Sequence, residues 1–471
     1  MLQPIKELKV RITGSMAIPD PTNIESAGEW YYLDHISSSL AAFDSSAKKF
    51  IPMIAEKWSS QPDGTHIFKL KDGVQFHDGT PITVKDVLWS IKRHLLIKKS
   101  THFRFWEYIK GCNSLKSLED ECEGLYAVSD KEIGIRLIEH SESFFLQMAS
   151  PETGIFAASD MDPKTFELKP TKFSGPYYVE SIEPKAAILK RNERSQLSQA
   201  FPNSPRTIRL VAMSLAAADD AIKKGQLDLV IRSYRPLGDP DWKSLGLNTQ
   251  ETSNSSILYL YGTGLHERKP VGQSFIQTLW ELNTDKKINP AGSFLPFSGK
   301  GTLVKEEFLA ELPKETSKKL RILCPESFFS EGFLNQLKEA SKAVGSEIEF
   351  TSAPGAEWIK AFDDPKTAEK FDYILSSYAS SERYPTVQLR YLAGKLTQPP
   401  IDLKTVESPD SKLDREKTLR DFQKWLLDTR QVIPLFFNRT LFVYQNNLDL
   451  GEQSSTDAEI ELWRIQEKVS R

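Results

Sequence analysis

The sequence predicts an α/β protein, and two stretches of alternating strand and helix signals predict it. In the last third, LRILC reads as a strand, FLNQLKEASKAV as a helix with Gly345 behind it, and EIEF as a strand. EWIKAF then reads as a short helix and FDYIL as a strand. This βαβαβ order is the pattern of a doubly wound sheet with helices on both faces. In the middle of the chain, TIRLVAM, LAAADDAIKK and LDLVI read as strand, helix and strand, with the helix ending at Gly225. Strand, helix and strand in short succession predict a right-handed parallel crossover. At roughly 100–200 residues per domain, the 471 residues predict two to four domains.

The other elements follow in chain order. THIFKL and GVQFHDGT read as two short strands, punctuated by the turns Asp72-Gly73 and Asp78-Gly79. Thr83 opens a helix. With Asp86 it makes a capping-box variant, in which the hydroxyl accepts a free N–H and the acid favours the helix start. Val87, Leu88, Ile91 and Leu95 share one face of that helix. Ile133, Ile135 and Leu137 alternate as a strand. SGPYYVESI and AAILKRN read as a hairpin turning at Glu183-Pro184-Lys185. Near the end, REKTLRDFQKWLLDT is an amphipathic helix and IPLFF is strand-like.

Composition excludes several classes of function. The 61 basic and 64 acidic residues are well mixed and leave a net charge of −3. That balance gives no footprint for nucleic acid or for an anionic membrane surface. No window approaches the roughly 20 apolar residues that span a bilayer, so no direct membrane insertion is expected. The first residues, MLQPIKELKV, contain no apolar secretory core. This fits a mature chain with a replacement initiator Met, or a cytosolic protein. The aromatic residues, 9 Trp, 14 Tyr and 26 Phe, are read first as core, with some left to line a roomy pocket. Cys112 and Cys122 flank the polar stretch NSLKSLEDE and are either a small disulfide loop or two free thiols. Cys324, in RILC, reads as a buried small hydrophobe. No CxxC pair is present, so a structural zinc site is not expected.

Catalytic motifs are absent: there is no Walker loop, GxSxG elbow, HExxH or GxGxxG. His77-Asp78 falls in a tight turn, where Asp is normal turn chemistry. His94 and His102 lie near a helix end without recognisable ligand spacing and read as solvated. KEASK and DREKTLRD read as solvated helix faces. No nucleophile–base pair stands out, so a hydrolase on this scaffold is disfavoured, and no cofactor or metal is expected. Open α/β sheets bind ligands beyond the carboxyl ends of their strands. The segment after FDYIL, SSYASSERYP, lies at such an end and holds Tyr378, Ser381, Glu382, Arg383 and Tyr384. An Arg there forks onto a carboxylate, a Glu holds an ammonium, and a Tyr stacks on an apolar side chain or sugar ring. The alternative is an ordinary polar surface loop.

Several segments, in order, resemble the family 5 extracellular solute-binding proteins, the oligopeptide/dipeptide/nickel-binding cluster. IPMIAEKWSSQPDGTHIFKLKDGVQFHDGTPITVKDVLWSIKRHL is the longest and most specific match. FSGPYYVESIEPKAAILKRN, AIKKGQLDLV, FDYILSSY and IPLFF keep the family's order. The resemblance implies a periplasmic-binding-protein type II fold, with two α/β lobes around a hinged cleft plus an extra mixed α/β domain. Domain I would comprise residues 1–40, 166–250 and 439–471, domain II residues 41–165 with the FHDGTP motif, and domain III residues 251–438. The ligand would lie between domains I and III, at a hinge crossed by two chain segments. The implied function is that of a monomeric receptor, periplasmic or at the cell surface, delivering a peptide or similar solute to an ABC transporter permease. A metal chelate, an oligosaccharide or a sensing role are the alternatives.

The family's binding aromatic falls on Tyr378. The Asp that captures a peptide's amine in peptide-binding members is here Ser381, with Glu382 and Arg383 beside it. Glu382 therefore replaces that Asp, or Arg383 selects an anionic ligand. Tyr31, Tyr32 and Trp358 are further aromatic candidates for the cleft, with core packing as their alternative role.

Overall fold

The computed structural model describes residues 2–379 except 13–14, 25, 45–48, 99–108, 139–141, 254, 264–267, 296–300, 327, 363 and 365, and beyond them 389, 392–393, 403, 414–453 and 460–469. Among these residues the chain builds three principal sheets, each with its own buried cluster or a share of one.

The smallest is an antiparallel sheet of four strands, in the order Ala55–Ser60, Thr65–Leu70, Glu132–Arg136 and Leu125–Ser129. The helix Val84–Ile97 contributes Val87, Ile91 and Leu95 to the same core as Phe68, Ile133 and Ile135. It starts at Thr83 because both halves of the capping box form: Asp86 N–H reaches the Thr83 hydroxyl, and the Asp86 carboxylate takes the Thr83 N–H at 2.7 Å. Cys112 and Cys122 are joined in a disulfide that closes the loop beside this sheet.

GVQFHDGT is not a strand. One isolated bridge, Gln75 with Pro81, is all the pairing it makes. The carboxylate of Asp78 takes the Thr80 N–H at 2.9 Å and the Thr80 hydroxyl at 2.6 Å, which folds the backbone back on itself. Gly79 completes the turn at φ +90°, a conformation that costs glycine least. The turn buries Phe76 and stacks His77 on Tyr178 at 4.4 Å, so it fastens the small sheet to the next one.

That next sheet has seven strands, in the order Leu247–Glu251, Thr440–Gln445, Leu229–Ser233, Leu8–Ile12, Thr207–Ala212, Ala186–Arg191 and Tyr177–Glu183. The predicted parallel crossover is present, with the N-terminal strand inserted between its two strands and parallel to both. Leu8, Val10 and Ile12 point into a core shared with the helix Ala27–Ile36.

The six-stranded sheet runs Asn289–Pro290, Val432–Asn438, Ser256–Gly262, Tyr373–Ala379, Lys319–Pro325 and Glu347–Ala353. Its last three strands are the predicted parallel βαβαβ unit. Ser256–Gly262, central and antiparallel to both neighbours, was not foreseen. Burial on both faces makes SILYLYG a nearly continuous apolar run, which lacks the alternation of a one-sided strand. The helices Glu331–Ala343 and Gln273–Glu281 add Phe333, Leu337, Phe275 and Leu279 to the large core around it. Cys324 is buried there as a free thiol. Among the described residues, no helix is long and apolar enough to cross a membrane.

Candidate functional site at the crossover between the two large sheets

The two large sheets are joined where the chain crosses twice: outward from Glu251 to Ser256 and back from Asn438 to Thr440. The crossings lie side by side, since Ser256 pairs with Asn438 and Glu251 with Leu441. A buried knot of hydroxyls holds them. The Thr252 hydroxyl donates to Ser255 Oγ at 2.7 Å, and Ser255 Oγ lies 2.9 Å from Thr440 Oγ1. The Thr440 N–H is shared between Ser255 Oγ at 2.7 Å and Thr252 Oγ1 at 3.1 Å. Asn438 Nδ2 donates to the Tyr234 carbonyl at 2.9 Å. The Tyr234 hydroxyl donates to Asp285 at 2.9 Å, and burial, reinforced by that carboxylate, pushes its pKa up. Ser256 Oγ and Asn438 Oδ1 are buried, with no hydrogen-bond partner among the described residues.

The strand ends converge on this knot. Tyr378 pairs with Ile257, one residue beyond the outward crossing, and Arg232 pairs with Leu441, one residue beyond the returning one. The carboxyl ends of the parallel strands of both sheets therefore meet at the crossover, which is where open α/β sheets take ligands.

Tyr378 is half-buried and packs against the core of the six-stranded lobe. Trp358, on the helix Gly355–Ala361, sits on the same sheet: its Nε1 donates to the Leu375 carbonyl at 3.3 Å, and its ring meets Phe362 edge-on at 5.1 Å. Tyr31 and Tyr32 are elsewhere. Both are buried in the core of the seven-stranded sheet, at 8% and 0% exposure, and act as packing residues of the helix Ala27–Ile36. Ser381, Glu382 and Arg383 lie outside the described residues, as does His102. His94 is not solvated: it is 3% exposed, with Nε2 2.8 Å from the Glu152 carbonyl. Burial holds its pKa down at about 4, with the charge of Arg93 acting the same way. Among the described residues no group of His, Cys, Asp or Glu gathers to hold a metal.

The sequence reading missed the crossover residues altogether. Their partners are 185 and 204 residues apart, so no local pattern marks them. It also missed Arg11, Arg232 and Arg235, which sit near the strand ends of the seven-stranded sheet. Charged residues inside otherwise apolar strands, as in LKVRI and LVIRS, were the available signal.

Comparison with known proteins agrees with this architecture. The family model for bacterial extracellular solute-binding proteins, family 5 middle, matches residues 49–286, half of the chain. No curated protein matches it. A periplasmic oligopeptide-binding protein of Borrelia burgdorferi superposes with a TM-score of 0.75 at 14% identity, over 98% of this chain and 99% of that one. NikA of Brucella suis, solved with Fe(III)-EDTA, gives 0.73 at 14% identity, over 98% and 100%. The murein tripeptide binding protein of Escherichia coli gives 0.73 at 15% identity, over 99% of each chain. The shared feature at such identities is the fold, that of the type II periplasmic binding proteins.

Proposed function

The chain belongs to family 5 of the bacterial extracellular solute-binding proteins, and from that premise we propose that it is the receptor of an ABC importer, which captures a peptide or similar solute between its two large lobes. The observation that carries this reading is the crossover. Two short adjacent segments join two sheets whose parallel strands end at the same place. That arrangement lets the lobes rotate about a few backbone angles and close on a ligand. Residues 1–40, 166–250 and 439–471 form the first lobe in this reading, 251–438 the second, and 41–165 the extra domain.

The site consists of Tyr378 with Ser381, Glu382 and Arg383 after it, and Trp358 supports the strand that carries Tyr378. The tyrosine stacks on an apolar part of the ligand while Glu382 and Arg383 select its charged groups. The protein acts as a monomer outside the cytoplasm and hands its ligand to a permease. The Cys112–Cys122 disulfide favours an oxidising compartment. Binding without turnover is expected, because among the described residues the crossover holds no nucleophile–base pair.

Native mass spectrometry of the purified protein tests this, with release and fragmentation of whatever is bound. A released peptide is the expected result. A released metal chelate or saccharide keeps the receptor and overturns the peptide. A chain that stays open and empty under saturating peptides, chelates and sugars overturns the receptor.

A further inference from the structure

The turn that follows the strand Leu229–Ser233 leaves the seven-stranded sheet and docks on the six-stranded lobe. Its near side is fixed to its own sheet. Arg232, buried in that strand, pairs with Asp219 and with Asp239, the latter at 2.9 Å. Asp239 also takes the Arg235 N–H at 2.6 Å, and the N–H groups of Gly238 and Asp239 return to the Arg235 carbonyl at 3.0 and 3.2 Å. The Tyr234 N–H donates to the Arg439 carbonyl at 2.9 Å, so the turn starts beside the returning crossing.

Its far side meets Asp285, in the loop between the helix Gln273–Glu281 and the strand Asn289–Pro290. Asp285 Oδ2 accepts the Tyr234 hydroxyl and the Leu237 N–H, each at 2.9 Å, while Oδ1 takes the Lys287 N–H of its own loop at 2.9 Å. The carboxylate is buried and has no ion pair among the described residues; Lys287 Nζ goes to Glu251 instead, at 2.5 Å. A buried carboxylate is costly unless hydrogen-bonded, and bonds to a charged acceptor are the stronger kind. Two of the three that hold this one come from the other lobe. A second contact lies beside it. Ser330, the N-cap of the helix Glu331–Ala343, donates its hydroxyl to the Pro236 carbonyl. At Gly238 a Cβ would come within 2.4 Å of the Ser330 Cβ, so the two chains approach closely there. Leu237 lies between these contacts at φ +54°, a conformation leucine rarely adopts. Such strain persists only where the surroundings over-determine it. Here the bonds that do so, at the Leu237 N–H and the Pro236 carbonyl, both go to the second lobe.

We propose that the turn Tyr234–Asp239 is a strap that holds the two large lobes at the angle described here, with Asp285 and Ser330 of the second lobe as its catches. Rotation about the crossover carries the strap off these catches, and relaxation of the Leu237 backbone offsets part of the bonds lost. The strap thereby makes the lobe angle a choice between two states instead of a continuous one. This rests on the reading that the lobes rotate about the crossover, and adds to it what sets their resting angle. It holds for any ligand the cleft takes.

The test is double electron–electron resonance on the full chain, exhaustively dialysed, with spin labels at Lys185→Cys on the first lobe and Lys342→Cys on the second, both exposed positions. The labelled parent is expected to give one narrow distance distribution. Tyr234→Phe keeps the buried ring and removes one bond to the catch, and Asp285→Asn weakens the acceptor of two. Each is expected to move about a tenth of the molecules to a second distance, the share reached when a minor state of about 1% gains tenfold from the loss of one charge-assisted hydrogen bond. If Asp285→Asn does not fold, Tyr234→Phe decides alone. Thr83→Ala, which weakens the small sheet without touching the strap, is expected to leave the parent distribution. Ser255→Ala, at the crossover itself, reports whether the lobes rotate at all. Strap variants that match the parent while Ser255→Ala broadens overturn the strap and leave the hinge standing. No change in any of the three overturns the strap together with the hinge. A second distance in Thr83→Ala as large as in the strap variants assigns the effect to general loosening and also overturns the strap.

Discussion

The Asp78–Asp86 turn and the crossover at Thr252–Ser255 both gather polar side chains in a confined space, and they satisfy them in opposite ways. In the turn, Asp78 serves Thr80 and Asp86 serves Thr83, so each bond closes within three residues. At the crossover, Ser255 depends on Thr440 and Asn438 depends on Tyr234, far away in sequence. Two polar atoms there, Ser256 Oγ and Asn438 Oδ1, have no partner among the described residues. A turn closed by its own neighbours stays rigid whatever the lobes do. A knot tied between distant segments is sensitive to their relative position, and incomplete pairing leaves it free energy to gain from a ligand or from rotation.

The largest expected effect tests the crossover side. Arg232→Met leaves Asp219 and Asp239 buried without their cation. It is expected to cost about 3–5 kcal/mol in urea unfolding; a cost below about 1 kcal/mol would mean that the charge network does not hold this loop. Removing the disulfide through Cys112→Ser with Cys122→Ser tests the other side. With a sequence separation of 10, the loss is expected to be about 2–3 kcal/mol. Hydrogen exchange should locate it in the four-stranded sheet, with ligand affinity unchanged.

Two milder substitutions sharpen the contrast directly. Ser255→Ala deprives the Thr440 N–H and the Thr252 hydroxyl of a buried acceptor and is expected to cost about 1–2 kcal/mol. Thr83→Ala removes a helix cap and is expected to cost about 1 kcal/mol. Calorimetry should find ligand affinity altered by the first and untouched by the second. If both leave affinity unchanged, the hydroxyl knot is not the hinge.

The gentlest test is acidification. The His35 ring is neutral in the folded chain, with Nδ1 2.6 Å from the Tyr31 carbonyl and Nε2 accepting the Leu462 N–H at 3.1 Å. Burial lowers its pKa from 6.5 to about 4, against the opposing pull of the Tyr31 carbonyl. Its contribution to stability is therefore complete above pH 6.5 and is lost as the pH falls toward about 4. His35→Gln should flatten stability over that interval, and an unchanged slope would assign it to other groups such as His94.

What the sequence revealed follows the same division. Thr83, Gly79 and the βαβαβ unit were legible because their determinants are local: a cap, a left-handed turn, a period. The position of Tyr378 near the carboxyl end of its strand was legible for the same reason, since a strand end is a local feature. GVQFHDGT misled because its apolar alternation is that of a strand, while Asp78 bends the backbone by a side-chain bond that alternation does not encode. His94 was misread although it lies three residues after Ile91, on the helix face that turns inward. Tyr31 and Tyr32 were two aromatics among many, and nothing near them in sequence separates a core tyrosine from a cleft tyrosine. The knot and the arginine cluster exist only once the lobes are assembled.

The inserted N-terminal strand has a consequence for the order in which the molecule is finished. Leu8–Ile12 lies far in sequence from its neighbours Thr207–Ala212 and Leu229–Ser233, and the strand beyond the second of these is Thr440–Gln445. That sheet is complete only when segments from Leu8 to Gln445 have met, whereas all the strands of the six-stranded sheet lie between Ser256 and Asn438. Such long-range closure is slow relative to local folding. The closure of the seven-stranded sheet is therefore expected to lag behind that of the six-stranded one.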